Sequence, residues 1–175
     1  FLNSLIGWTS EVVNKQKLKA YGLDDSYVNF RSGSGAALDA EIVSSIRRGK
    51  PIVFYYWSPT PLMGRYKLIQ LEEPPFDAEA WKTLTDADNP DPKPTRSLAS
   101  KLSIGVSAPF QKEHPQIAQV FEKVEFPIDP LNKALATMSE RHTAPRAVAQ
   151  AFLKEHPEVW KAWLPQDVAQ KVEAS

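Results

Sequence analysis

Apolar positions in the first hundred residues switch between short continuous runs and stretches spaced by three or four, the pattern of strands interleaved with helices. Phe1 to Ile6 predicts a short strand. The next stretch predicts a helix capped by Thr9 or Ser10 and running to about Ala20, with Gly22 as its stop. Tyr27-Val28-Asn29-Phe30 predicts a second strand, ended by Ser32-Gly33-Ser34-Gly35. From Ala36 the period turns helical, because Leu38, Ile42 and Ile46 recur every four residues on one face. Gly49 ends that helix after Arg47 and Arg48, whose charge suits a helix C-terminus. Pro51 to Tyr56 is an unbroken apolar and aromatic run, read as a buried parallel strand. Leu68 to Leu71 predicts a further strand, and Ala78 to Leu84 a short helix.

Asp86 to Pro94 is too rich in proline for regular structure and reads as a connector between two parts of the molecule. After it come one strand, Leu102 to Val106, and then helices almost to the end. Phe110-Gln111-Lys112-Glu113-His114-Pro115 and Phe152-Leu153-Lys154-Glu155-His156-Pro157 look alike. Both read as helix punctuation, with proline opening the next helix. Val148, Phe152, Val159, Trp160 and Trp163 supply packing faces. The expected class is α/β, divided into residues 1–98 and a mostly helical segment 99–175. The helical segment has too few strands to cover itself. Its missing sheet is expected from polypeptide upstream of Phe1 or from another chain, a domain-swapped dimer being one arrangement.

Two tryptophans stand where a strand gives way to something else, the place where α/β folds hold ligands. Trp8 precedes Thr9 and Ser10 at a predicted helix start, where unpaired amides and the helix dipole favour a carboxylate. Trp57 leaves the carboxyl end of the Pro51–Tyr56 run, on a loop made rigid by Ser58-Pro59-Thr60-Pro61. Either ring can offer a π face to a cation, and two converging would form half of a cage for a quaternary ammonium group. Plainer readings stand beside these: a staple tryptophan next to an ordinary cap for Trp8, a core or hinge aromatic for Trp57. Glu11 in the first helical turn has to point away from any bound anion. Tyr55 and Tyr56 alternate, so only one of them shares the side Trp57 serves.

Composition narrows the classes. Lys plus Arg and Asp plus Glu both number 21, which leaves no net field to attract nucleic acid or an anionic membrane. No apolar run approaches the roughly 20 residues of a spanning helix. The chain has no cysteine, which removes thiolate catalysis and cysteine metal sites without fixing the compartment. Ser32-Gly33-Ser34-Gly35 lacks the spacing of a nucleophile elbow, and no phosphate loop is present. Asp86, Asp88 and Asp91 do not make a calcium loop, because the sixth position holds Asp91 instead of glycine. His114, His142 and His156 fall at helix ends without metal-ligand spacing. No catalytic set assembles, so no enzyme, metal or cofactor is expected. A hydrolase using Ser34 or Ser10 is the rival that a serine-reactive probe would revive.

The run Gly7-Trp8-Thr9-Ser10-Glu11, then Ala20-Tyr21-Gly22-Leu23, Gly35-Ala36-Ala37-Leu38-Asp39 and Gly49-Lys50-Pro51-Ile52-Val53-Phe54-Tyr55-Tyr56-Trp57-Ser58-Pro59, in that order, resembles the substrate-binding proteins of ABC importers for glycine betaine, proline betaine and choline. The likeness continues more weakly through Leu71-Glu72-Glu73-Pro74 and the helical tail. It implies a type II periplasmic-binding-protein clamshell, of which this chain is one lobe (1–98) and the returning segment of the other (99–175). It further implies that Trp8 and Trp57 match two cage tryptophans, and that the amides of Thr9 and Ser10 match the pair that holds the ligand carboxylate. Family members often carry glycine and a small residue at those two positions. The partners implied are a quaternary ammonium ligand and a membrane permease subunit, in a periplasmic or extracellular setting. A ligand-sensing or interaction module of a regulator, or a carrier of another cationic or zwitterionic solute, is the alternative on the same fold.

Overall fold

Leu2 has parallel neighbours on both sides, and the first half of the molecule is arranged around it. The computed structural model describes residues 1–173. They divide into two compact units, one of residues 1–56 and 69–99, the other of residues 57–68 and 100 onward.

In the first unit, β1 (Leu2–Asn3) pairs in parallel with β2 (Phe30–Arg31), Leu2 opposite Phe30 and Asn3 opposite Arg31. On its other edge, Leu2 forms a parallel bridge to Phe54. The Leu2 N–H donates to Val53 O at 2.9 Å and the Tyr55 N–H donates to Leu2 O at 2.9 Å. The order across this small ladder is therefore β2, β1, then the Phe54 run. Helix α1 (Thr9–Ala20) connects β1 to β2, and α2 (Gly35–Arg47) connects β2 to the Phe54 run. Strand order reverses at β1, which makes its carboxyl end a topological switch point, where open α/β sheets form their ligand crevice.

Helix α2 forms as its four-residue period requires, with Leu38 and Ile42 fully buried. Ser34 caps it, its hydroxyl accepting the Ala37 N–H at 3.2 Å. Helix α1 buries Val13 and Leu18, and also the polar Gln16 and Lys17. Each of these polar groups is used. Gln16 donates to the carbonyls of Asp86 and Asn89, fastening the Asp86–Asn89 turn to α1. Lys17 pairs with Glu73 at 2.6 Å and donates to Ser97 at 3.2 Å, and Tyr21 donates to the same carboxylate at 3.2 Å. Helix α4 (Ala78–Thr85) is capped by Asp77, and its Leu84 is fully buried. Thr95, also fully buried, accepts the Asp77 N–H at 2.8 Å and donates to Pro75 O.

The second unit is helical. It contains α3 (Pro61–Arg65), α5 (Ala108–Glu113), α6 (Pro115–Lys123), α7 (Ile128–Arg141), α8 (Pro145–Glu155), α9 (Pro157–Lys161) and α10 (Gln166–Glu173). The two Phe-to-Pro segments do punctuate helices, and they fold alike. His114 and His156 adopt nearly the same backbone angles, φ −130 with ψ 57 and φ −126 with ψ 57. Each donates its N–H to the preceding phenylalanine carbonyl, at 2.8 and 2.9 Å. Each packs its ring on that phenylalanine, at 5.1 and 4.9 Å between centroids. Phe126 contacts Phe152 and Trp163 to form an aromatic cluster. Helices α3 and α7 meet so closely at Gly64 that a Cβ there would lie 2.0 Å from the Asn132 carbonyl oxygen.

The sheet is smaller than the sequence pattern predicts, and all five expected strands change. The Phe1–Ile6 strand shortens to Leu2–Asn3, and the Tyr27–Phe30 strand moves to Phe30–Arg31. Pro51–Tyr56 contributes one bridge, and Leu68–Leu71 and Leu102–Val106 carry no regular structure. The physical reason is pairing. A strand exists only against a neighbour, and Ile69 (88 % exposed) and Leu102 (81 %) lie against none among the described residues.

Candidate functional site

Asn3 and Ser4 interrupt the apolar run of Phe1 to Ile6, and both are fully buried. Asn3 donates to Glu11 O at 3.0 Å and accepts from the Ser4 N–H at 2.7 Å and from Asn14 at 2.9 Å. Ser4 and Ser10 share a hydroxyl–hydroxyl bond at 2.7 Å. The carboxyl end of β1 is thereby tied to the first turn of α1, and the five residues between them form a short fixed loop. Gly7 allows this loop to turn, at φ 91. The Trp8 N–H closes it on Leu5 O at 3.2 Å.

Trp8 is the N-cap residue of α1, extended at φ −88 and ψ 141, and no side chain caps the helix. This corrects the assignment of Thr9 or Ser10 as cap: Thr9 is the first helical residue, and the Ser10 hydroxyl is committed to Ser4. The Glu11 N–H turns back to Trp8 O at 2.9 Å. The backbone N–H groups of Thr9 and Ser10 donate to no other described residue. They are thus available as a donor pair at the positive end of a twelve-residue helix. Trp8 is 43 % exposed beside them. Glu11, the one acid in this turn, is buried with its carboxylate 3.7 Å from the Arg31 guanidinium of β2. Its charge is balanced from that side. The cavity of about 340 Å³ lined by Glu11, Val12, Lys15, Asn29, Arg31 and Ala87 belongs to the same flank and takes in none of Trp8, Thr9 and Ser10.

Trp57 falls in the second unit, half-buried at the head of the loop that leads into α3. Thr60, almost fully buried, donates from its hydroxyl to Trp57 O at 3.3 Å and caps α3 by accepting the Met63 N–H. Trp8 is thus exposed and Trp57 half-buried. Of the adjacent tyrosines, Tyr56 directs its hydroxyl to Asp39 of α2, and alternation sends Tyr55 to the opposite side. No group of side chains among the described residues is arranged to hold a metal ion, and no described helix is long and apolar enough to cross a membrane.

Sequence reasoning missed Asn3 and Asn132, the residues that fix these two loops. For Asn3 a signal existed, since Asn-Ser inside an apolar strand is costly unless its polar groups are satisfied. Asn132 carries no such local mark.

Comparison with known proteins brings out a consistent set of relatives. A glycine betaine-binding periplasmic protein of Dickeya dadantii is 22 % identical over 165 residues, covering 90 % of this chain and 49 % of that protein. A glycine betaine/proline betaine-binding periplasmic protein of Escherichia coli is 23 % identical over 170 residues, covering 93 % of this chain and 51 % of its own length. A trimethylamine N-oxide-binding protein of Pelagibacter ubique is 26 % identical over 153 residues, 87 % of this chain and 46 % of that protein. The chain therefore spans about half the length of the curated relatives it matches. The model of the substrate-binding domain of the ABC-type glycine betaine transport system matches residues 1–155. With most of its length matched in this way, and with a tryptophan and two open amides at its switch point, the chain belongs to that family of substrate-binding domains.

Proposed function

We propose that this chain forms much of an extracytoplasmic solute-binding protein that captures a small methylated ammonium compound, glycine betaine first among them, and delivers it to the membrane subunit of an ABC importer. The role is carriage, not catalysis. The observation that carries it is the α1 N-terminus, where an exposed tryptophan stands beside two undonated amides on a loop fixed by buried hydrogen bonds. An indole face suits a methylated nitrogen, and the amide pair suits a carboxylate. Betaines carry both groups a few bonds apart. Trp57, on its own rigid loop, is proposed as the second aromatic contact. Residues 1–98 are read as one lobe of a clamshell and 99–175 as the return of the other, after the type II fold of the family.

Calorimetric titration of the intact protein with glycine betaine, trimethylamine N-oxide and choline tests the reading. Glycine betaine should bind more tightly than choline, which has no carboxylate for the Thr9 and Ser10 amides. A desolvated cation–π contact contributes up to about 2 kcal/mol. Trp8→Ala and Trp57→Ala should therefore each weaken glycine betaine by up to about 30-fold. Intact protein that binds none of the three ligands, or binds glycine betaine equally well without Trp8, overturns the proposal.

A further inference from the structure

The loop that carries Trp57 is held by a residue more than seventy positions away. Asn132 lies in the first turns of α7, 5 % exposed. Its carboxamide oxygen accepts the Thr60 N–H at 2.8 Å and the Ser58 hydroxyl at 3.1 Å, and its amide nitrogen donates back to Ser58 at 2.9 Å. Thr60 in turn donates to Trp57 O. Both ends of one carboxamide are thus spent on the two residues that fix where the backbone leaves Trp57. Aspartate would keep acceptors for Ser58 and Thr60 but has no donor to return to Ser58, and leucine has neither donor nor acceptor. Gly64 allows the arrangement, because without a Cβ the α3 backbone can lie directly against the Asn132 carbonyl.

We propose that Asn132 is a positioning residue for ligand binding: by clamping Ser58 and Thr60 it holds Trp57 in the orientation in which its ring meets the methylated cation. Asn132 itself touches no ligand. The inference rests on the reading of Trp57 as a ligand contact. Cation–π attraction depends on the cation lying over the ring face, so a loop freed to reorient loses the contact even when the ring is present.

A double-mutant cycle on the intact protein tests it, with glycine betaine titrated into wild type, Asn132→Ala, Trp57→Ala and the double variant. Asn132→Ala should weaken binding on the order of tenfold in the wild-type background, as expected for residues coupled through one network. In the Trp57→Ala background the same change should cost less than about twofold, since no ring remains to be positioned. A merely structural role predicts the same loss in both backgrounds, and that result overturns the proposal. So does an Asn132→Ala protein of unchanged affinity. If Trp57→Ala alone leaves affinity intact, the ligand-contact reading of Trp57 is what fails, and the clamp falls with it. Should Asn132→Ala not fold, Ser58→Ala replaces it in the cycle. That variant removes two of the three clamp bonds from an exposed position and should show the same dependence on Trp57 with a smaller factor. Equal factors in the two backgrounds overturn the proposal there too.

Discussion

Gly64→Ala puts two physical effects against each other with opposite signs. Alanine at a helix position in place of glycine gains about 1 kcal/mol of intrinsic propensity. At this position the new Cβ would lie 2.0 Å from Asn132 O, 2.4 Å from its carbonyl carbon and 2.9 Å from Lys133 N. All three are backbone atoms of α7, which cannot rotate aside as a side chain would. The closest approach is about 1.4 Å short of the 3.4 Å at which ordinary contact begins, so α3 has to separate from α7. Overpacking of this kind costs about 1–3 kcal/mol. A displacement of that size also stretches the 2.8 Å bond from the Thr60 N–H to Asn132 past hydrogen-bonding range, leaving a buried donor unpaired for about 1–3 kcal/mol more. The clash wins, and the net loss should be about 1–5 kcal/mol. In thermal unfolding of the intact protein this corresponds to a Tm lowered by roughly 2–20 °C. A Gly64→Ala protein with an unchanged or raised Tm would show that propensity dominates and that α3 and α7 do not lie in backbone contact.

Two further outcomes follow from the first unit. Burial, with the charge of Glu73 and the hydrogen bond to it, raises the Tyr21 hydroxyl from 10.0 to about 12. The folded state holds this proton more tightly than the unfolded chain, so the stabilisation is complete below pH 10 and is lost as pH rises through about 12. Denaturation midpoints measured across that window should fall more steeply for wild type than for Tyr21→Phe, and parallel slopes would contradict the raised value. Asn3→Ala strips the partners from the buried Ser4 N–H and from Asn14 and should lower the urea midpoint by the equivalent of about 2–3 kcal/mol. A midpoint at the wild-type position would mean that the β1–α1 junction does not depend on this carboxamide.

Helices were legible in the sequence because their information is local. The four-residue spacing of Leu38 and Ile42 and the prolines at the starts of α6 and α9 all lie within the element they specify. Strands were less legible, because apolar character in Leu68–Leu71 and Leu102–Val106 is necessary for a strand but cannot supply its neighbour. At the candidate site the sequence pointed to Trp8, Thr9, Ser10 and Trp57 through their positions after apolar runs. It erred on the cap, since an extended N-cap backbone can belong to tryptophan when a Ser4–Ser10 bond takes the nearby hydroxyl. The clamp on the Trp57 loop was out of reach, because Asn132 is an ordinary polar residue of an amphipathic helix until tertiary structure brings it to Thr60.

That separation along the chain has a kinetic corollary. Closing a segment of some seventy residues carries an entropic cost that grows as the logarithm of its length and is met before the contact returns anything. The ladder around Leu2, by contrast, can assemble from the first fifty-odd residues. During synthesis, the Trp57 loop therefore emerges from the ribosome long before Asn132, and the bonds that tie Ser58 and Thr60 to that residue form later than the ladder around Leu2.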